Sequence, residues 1–102
     1  MDRREYRLRH FPALLARWRG SWAHMHELTC SHQSLLIHLT QPDSRNYLEI
    51  ACIAPETING VVVWPDSDIT VQICDTEGFL VEDKGAGVSI RTASVEISEG
   101  IY

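Results

Sequence analysis

From Trp22 onward the apolar residues recur at every second position, and that period constrains the fold more than any other feature of the chain. "SLLIHLT" places Leu35, Ile37 and Leu39 on one side of an extended backbone. "NYLEIACI" places Leu48, Ile50 and Cys52 on one side and Tyr47, Glu49 and Ala51 on the other. "DITVQIC" sets Ile69, Val71 and Ile73 against Thr70 and Gln72. "INGVVVW", "GFLVED" and "VSIRTASVEIS" contribute Val61 to Val63, then Phe79 and Val81, Val88 and Ile90, and finally Val95 and Ile97. Between these runs lie "QPDSRN", "APET", "NG", "WPDSD", "DTEG" and "DKGAG", all rich in turn-forming residues. The pattern predicts about seven or eight short antiparallel strands, arranged as a sandwich or a partly open barrel. No second helical pattern interrupts them, which argues against a parallel βαβ sheet.

The segment before Trp22 follows a different period. Phe11, Leu14, Leu15 and Trp18 lie at i, i+3, i+4 and i+7, one face of a helix over residues 11–20. Pro12 suits the first turn, Gly20 the position just past the end, and Arg17 and Arg19 the negative end of the dipole. Pro12 also disfavours helical geometry at Phe11, so residues 1–10 are expected as a basic arm or a separate short helix. The helix must bury its apolar face, and the sheet offers the only large apolar surface. The expected fold class is therefore α+β: one N-terminal helix packed on an antiparallel β-meander spanning residues 22–98. A chain of 102 residues fits a single domain with one core. The edge strand of such a sheet invites pairing with a second copy, so a homodimer is expected.

Charge is unevenly distributed. Residues 1–20 carry six arginines against two acids, net +4, whereas residues 21–102 carry three basic residues against twelve acids, net −9. Such a body repels phosphates, which argues against nucleic acid as a partner; the arginines are expected to meet acids of the body or of a second subunit. No apolar run reaches the roughly 20 residues that span a bilayer, and "MDRREYRLRH" lacks the apolar core of a secretory signal. The expectation is a soluble cytoplasmic protein without membrane association. Cys30, Cys52 and Cys74, spaced 22 apart, match neither a disulfide framework nor a zinc motif, and read as small buried hydrophobes.

"SWAHMHELTCSH", residues 21–32, is the densest cluster of chemically active side chains. On a helix His24 and His26 would point about 200° apart. On a strand they share a face, which continues through Leu28, Cys30, His32, Ser34, Leu36 and His38. Cys30 would lie roughly 13 Å from His26 along a straight strand, too far for joint ligation. "ELT-CSHQ-SLLIHL" reads as strand, turn, strand, with His24 and His26 opposite Leu39 and Ile37 or their neighbours and His32 at the tip. In that arrangement the three histidines diverge, and ordinary strand histidines are the expected reading. His24 and His26 remain the candidate metal ligands, with zinc or another divalent cation as the alternative to no cofactor at all.

No nucleophile elbow, phosphate loop or dinucleotide fingerprint is present. "GAG" at 85–87 reads as a turn, and Glu82 and Asp83 as strand neighbours facing opposite ways. Trp22 and Trp64, together with Asp66 and Asp68 beside Pro65, are the candidate partner-binding residues, because aromatics dominate binding hot spots. The layout of short helix, Trp/His segment and acidic meander resembles several groups of small bacterial proteins, among them immunity proteins that neutralise toxins by binding. That likeness is one of size, charge and architecture and transfers no residue. The expected function is a small non-enzymatic interaction module that binds a protein partner through its acidic sheet or exposed tryptophans. The alternative is a small metal-dependent enzyme or ligand-binding domain using His24 and His26.

Overall fold

The period-two segment forms one antiparallel sheet of seven strands, curled into a half-barrel, in a computed structural model that describes residues 3–29, 34–74 and 78–101. In chain order the elements are α1 (Arg3–Leu8), α2 (Phe11–Arg17), β1 (Trp22–Thr29), β2 (Ser34–Thr40), β3 (Asn46–Asn59), β4 (Val63–Trp64), β5 (Thr70–Ile73), β6 (Phe79–Asp83) and β7 (Val88–Ile101), with a 3-10 turn at Lys84–Ala86. The strand order is β4-β1-β2-β3-β7-β6-β5.

This order corrects the expectation of a simple meander. Two runs follow chain order, β1-β2-β3 and β5-β6-β7, and the two 14-residue strands β3 and β7 join them along their length. Because β7 takes the outer edge of β3, the chain leaving β3 crosses to the open edge of β1 and forms β4 there. Gly60 permits the crossing. Its φ is +125°, and a Cβ at that position would lie 2.8 Å from the Val88 Cα. The chain then runs from Trp64, at one edge of the sheet, to Thr70, at the other. Six peptide steps reach at most about 20–22 Å. Seven flat strands would hold their edges about 29 Å apart, so the sheet has to curl.

One expected turn lies inside a strand. "APET" falls within β3, where the register shifts between Pro55 and Thr57 and Ala54 adopts a φ of 54°. Proline cannot donate to a ladder, and the bulge absorbs that loss without ending the strand. The Thr92 hydroxyl donates to the Ile53 carbonyl at 2.7 Å beside it. The number of strands, seven, is within the expected range, but the two central strands are longer than the turn chemistry indicates.

The inward positions match the alternation. Leu35, Ile37, Leu39, Leu48, Ile50, Cys52, Phe79, Val81, Val88, Ile90 and Val95 are buried in one cluster. Leu15 and Trp18 belong to the same cluster, with Phe11 and Leu14 packed against it. The second helix stops at Arg17, three residues short of its expected end, as the Trp18 N–H turns to the Leu15 carbonyl at 3.1 Å. Gly20 follows at φ +84°. The Trp18 indole donates to Glu99 Oε1 at 3.2 Å. Burial pushes the Cys52 thiol up to about 12, so it acts as a small apolar residue. Cys30, His32 and the turn expected at residues 30–33 lie outside the described residues.

The loop between β4 and β5 is fastened by one buried carboxylate. Asp83 Oδ2 accepts from the Trp64 indole and from the Asp68 backbone N–H, both at 2.8 Å, and its Oδ1 accepts from the Ala86 N–H at 3.3 Å. Backbone bonds between Ser67 and Ser21 and between Gly20 and Ser67 hold the same loop against the entry to β1.

Candidate metal centre

The outer face of the sheet gathers three histidines. Strand β1 alternates as its sequence demands: Ala23 is fully buried and Met25 packs against the core, so His24 and His26 point outward. His24 pairs with His38 across β1 and β2, and His38 pairs with Glu49 across β2 and β3. Residues directly opposite in an antiparallel pair share a face with Cβ atoms about 4.5–5.5 Å apart. One cross-strand row therefore carries Val63, His24, His38, Glu49 and Ser98.

His26 joins the row through a β-bulge. The register of β1 against β2 shifts between Met25 and Glu27, leaving His26 as the extra residue. A bulge re-aims the side chain it carries. Here the His26 ring stacks on His38, with centroids 4.6 Å apart and planes 21° from parallel. His24 meets both edge-on, at 5.7 Å from His26 and 5.6 Å from His38. One ligating nitrogen from each of the three rings lies within 4.8 Å of the others.

His38 is the anchored member. Its side chain is 8% exposed, and its Nε2 donates to Glu49 Oε1 at 2.9 Å. The carboxylate fixes the ring's tautomer and orientation and makes Nδ1 the ligand nitrogen, the arrangement found behind metal-bound histidines. The Tyr47 ring lies 4.9 Å from the His38 ring. His24 is partly buried and His26 exposed, so the cluster opens to solvent on the His26 side. Burial, then the charges of His38 and His26, hold the His24 imidazole below its usual proton affinity, which favours the neutral form that metals bind. Tetrahedral zinc needs ligand nitrogens about 3.3 Å apart, so the widest pair must close by roughly 1.5 Å. Rotation of the exposed His26 side chain supplies motion of that size.

The expected register, with the pair opposite Leu39 and Ile37 or their neighbours, holds for His24, whereas the expected divergence involves His32, which lies outside the described residues; the convergence with His38 is not among the expectations. His24 faces His38, and the rings converge. Alternation places His38 on the same face but not beside the pair. Its position follows from the hairpin register, which puts Trp22 opposite Thr40 and steps inward from there. Glu49 is legible in the sequence only as a residue of the outward face.

The partner-binding candidates separate. Trp22 is 50% exposed on the histidine face, two residues before His24. Trp64 is 3% exposed and spends its indole N–H on Asp83, which removes it from any docking surface. Its burial follows from its register opposite Ala23, on the core side. Asp66 is exposed in the left-handed region at φ 51°, and Asp68 pairs with Arg19 at 3.1 Å. Arg17 pairs with Glu99 at 3.2 Å, and Arg9 lies over the Tyr6 ring. Those three arginines are thus engaged within the chain. No helix among the described residues is long and apolar enough to cross a membrane. No protein-family model matches this chain, and neither does any curated protein or solved structure.

Proposed function

We propose that the protein binds a divalent transition-metal ion, zinc first among them, through His24, His26 and His38, with Glu49 holding His38 in place. The observation that carries this reading is the convergence of three imidazole nitrogens within 4.8 Å of one another on an accessible face. Imidazole is a ligand of zinc, copper and nickel and a poor one for calcium or magnesium, which take oxygen. Three neutral ligands leave the ion's double charge unneutralised, which an acidic body with net charge −9 over residues 21–102 accommodates. Calorimetric titration with zinc at neutral pH should show one ion per chain. His26→Ala, an exposed substitution that spares the core, should remove most of that heat. Absence of heat in the parent protein would end the metal reading.

A second reading keeps the expected interaction module, now centred on Trp22 with the valines beside it. Val61, Val62 and Val63 are 46%, 64% and 56% exposed on and before the short edge strand β4. An exposed edge flanked by apolar side chains favours pairing with a second copy. Sedimentation across a range of concentrations checks this: a chain that stays monomeric throughout, with and without zinc, removes the homodimer.

A further inference from the structure

The number of ligands bears on what a bound ion could do. Structural zinc sites are closed by four protein ligands, whereas sites with three keep a position for water. Among the described residues the cluster supplies three imidazoles, and its open side is the exposed His26 side. The described neighbours of His24, on the side of it away from His26 along β1 and across to β4, are apolar. Val63 sits opposite His24 in the β1–β4 register and is 56% exposed. Trp22, two residues along β1 on the same face, is 50% exposed. One cross-strand step and one two-residue step place both side chains within roughly 5–7 Å of the His24 position, the reach of a small acyl or aryl group.

We infer that zinc held by His24, His26 and His38 keeps a water in its remaining position and hydrolyses small esters, whose aryl or alkyl group rests on Trp22 and Val63. This activity rests on the metal reading of the same three histidines. The ion lowers the proton affinity of its water to the neutral range, and the proton passes to buffer. The resulting hydroxide adds to the ester carbonyl carbon, forming the new C–O bond. Collapse of the tetrahedral adduct breaks the bond to the alkoxide or phenoxide, which leaves and takes a proton from solvent. The products are a carboxylate and an alcohol or phenol, and one water is consumed. Esters fit better than amides, because a leaving amine needs a positioned proton donor and Glu49, the described carboxylate in contact with the cluster, is already engaged with His38. Phosphate esters are disfavoured by the acidic body.

The test uses the full chain loaded with zinc and p-nitrophenyl acetate as the probe, with zinc stoichiometry measured on the same sample. The expected rate exceeds that of equimolar zinc with free imidazole by roughly tenfold, climbs as pH passes about 7 and disappears with a chelator. Trp22→Ala should keep one zinc per chain and raise KM with little change in kcat. One zinc bound with no rate above the control overturns the esterase inference and leaves the metal reading standing. No zinc bound overturns both. An unchanged KM in Trp22→Ala overturns the assigned apolar contact.

Discussion

Two polar clusters sit on opposite sides of the same sheet, and they are built for different ends. Around Asp83, which is 2% exposed, one carboxylate receives three donors: the Trp64 indole and the N–H groups of Asp68 and Ala86. Donors and acceptor match, and the cluster fastens the loop that carries the chain from one edge of the sheet to the other. On the outer face three imidazoles gather, of which His38 alone is shown bonded to a carboxylate, Glu49, among the described residues, and the ring contacts of His24 are with the other two histidines. There the ligand nitrogens converge on one another and on solvent. A buried polar cluster whose valences are filled stabilises the fold; an accessible one with converging ligand atoms is a place for something else to bind.

Substitution should separate the two clusters cleanly. Asp83→Ala strands the Trp64 indole and the Asp68 N–H in a dry corner, and each unsatisfied buried donor costs about 1–3 kcal/mol. The variant should lose about 3 kcal/mol of stability by urea denaturation, which for a domain of this size approaches the failure of folding. Its zinc affinity, measured below the denaturation midpoint, should stay at the parent value. A loss of zinc binding in a variant that remains folded would show that the clusters are coupled and break the comparison.

Glu49→Gln is the reciprocal case. The amide keeps nearly the same shape but weakens the bond to His38 Nε2, and loss of such a support usually lowers metal affinity by roughly 10–100-fold. Stability should move little, because Glu49 remains 30% exposed to solvent. Competition against a chromogenic zinc chelator reads the affinity, and a urea curve on the same sample reads the stability. Equal affinities in parent and variant would mean that the His38–Glu49 pair is structural alone.

How far each cluster is legible in the sequence differs for a physical reason. Alternation is local, so the inward residues of β2, β3, β6 and β7 are readable one by one, and His24 and His26 are readable as a pair sharing a face. Register is not local. His24 meets His38 because the hairpin centres its pairing between them, and His26 leans onto His38 because a bulge intervenes. Nothing in the order of residues 24–38 fixes that bulge. Trp64 shows the same limit from the other side. Its type suggests a binding hot spot, but its role depends on Asp83, nineteen residues later, whose carboxylate reads in the sequence only as the neighbour of Glu82. Pro55 is a turn signal of the usual strength, overridden because the ladder between β3 and β7 continues on both sides of it.

The smallest expected effect is also the one that sharpens the contrast most without altering the metal ligands' geometry. Burial, with the charges of His38 and His26 added, lowers the His24 pKa from 6.5 in the folded chain. A group that holds its proton less tightly when folded than when unfolded contributes no loss of stability above the unfolded value, and stability declines as pH falls below it until the folded pKa is passed. The urea midpoint should therefore be flat from about pH 6.5 to about pH 8, below the range where the unfolded Cys52 thiol ionises, and drop below about pH 6.5, by an amount kept small by solvent at the partly exposed ring. His24→Gln should flatten this slope, whereas zinc should steepen it, because protons then compete with the ion for the same three nitrogens. Asp83 lies outside that competition, and a zinc-free slope that survives unchanged in His24→Gln would place the titrating group elsewhere and dissolve the distinction between a cluster that fastens and a cluster that binds.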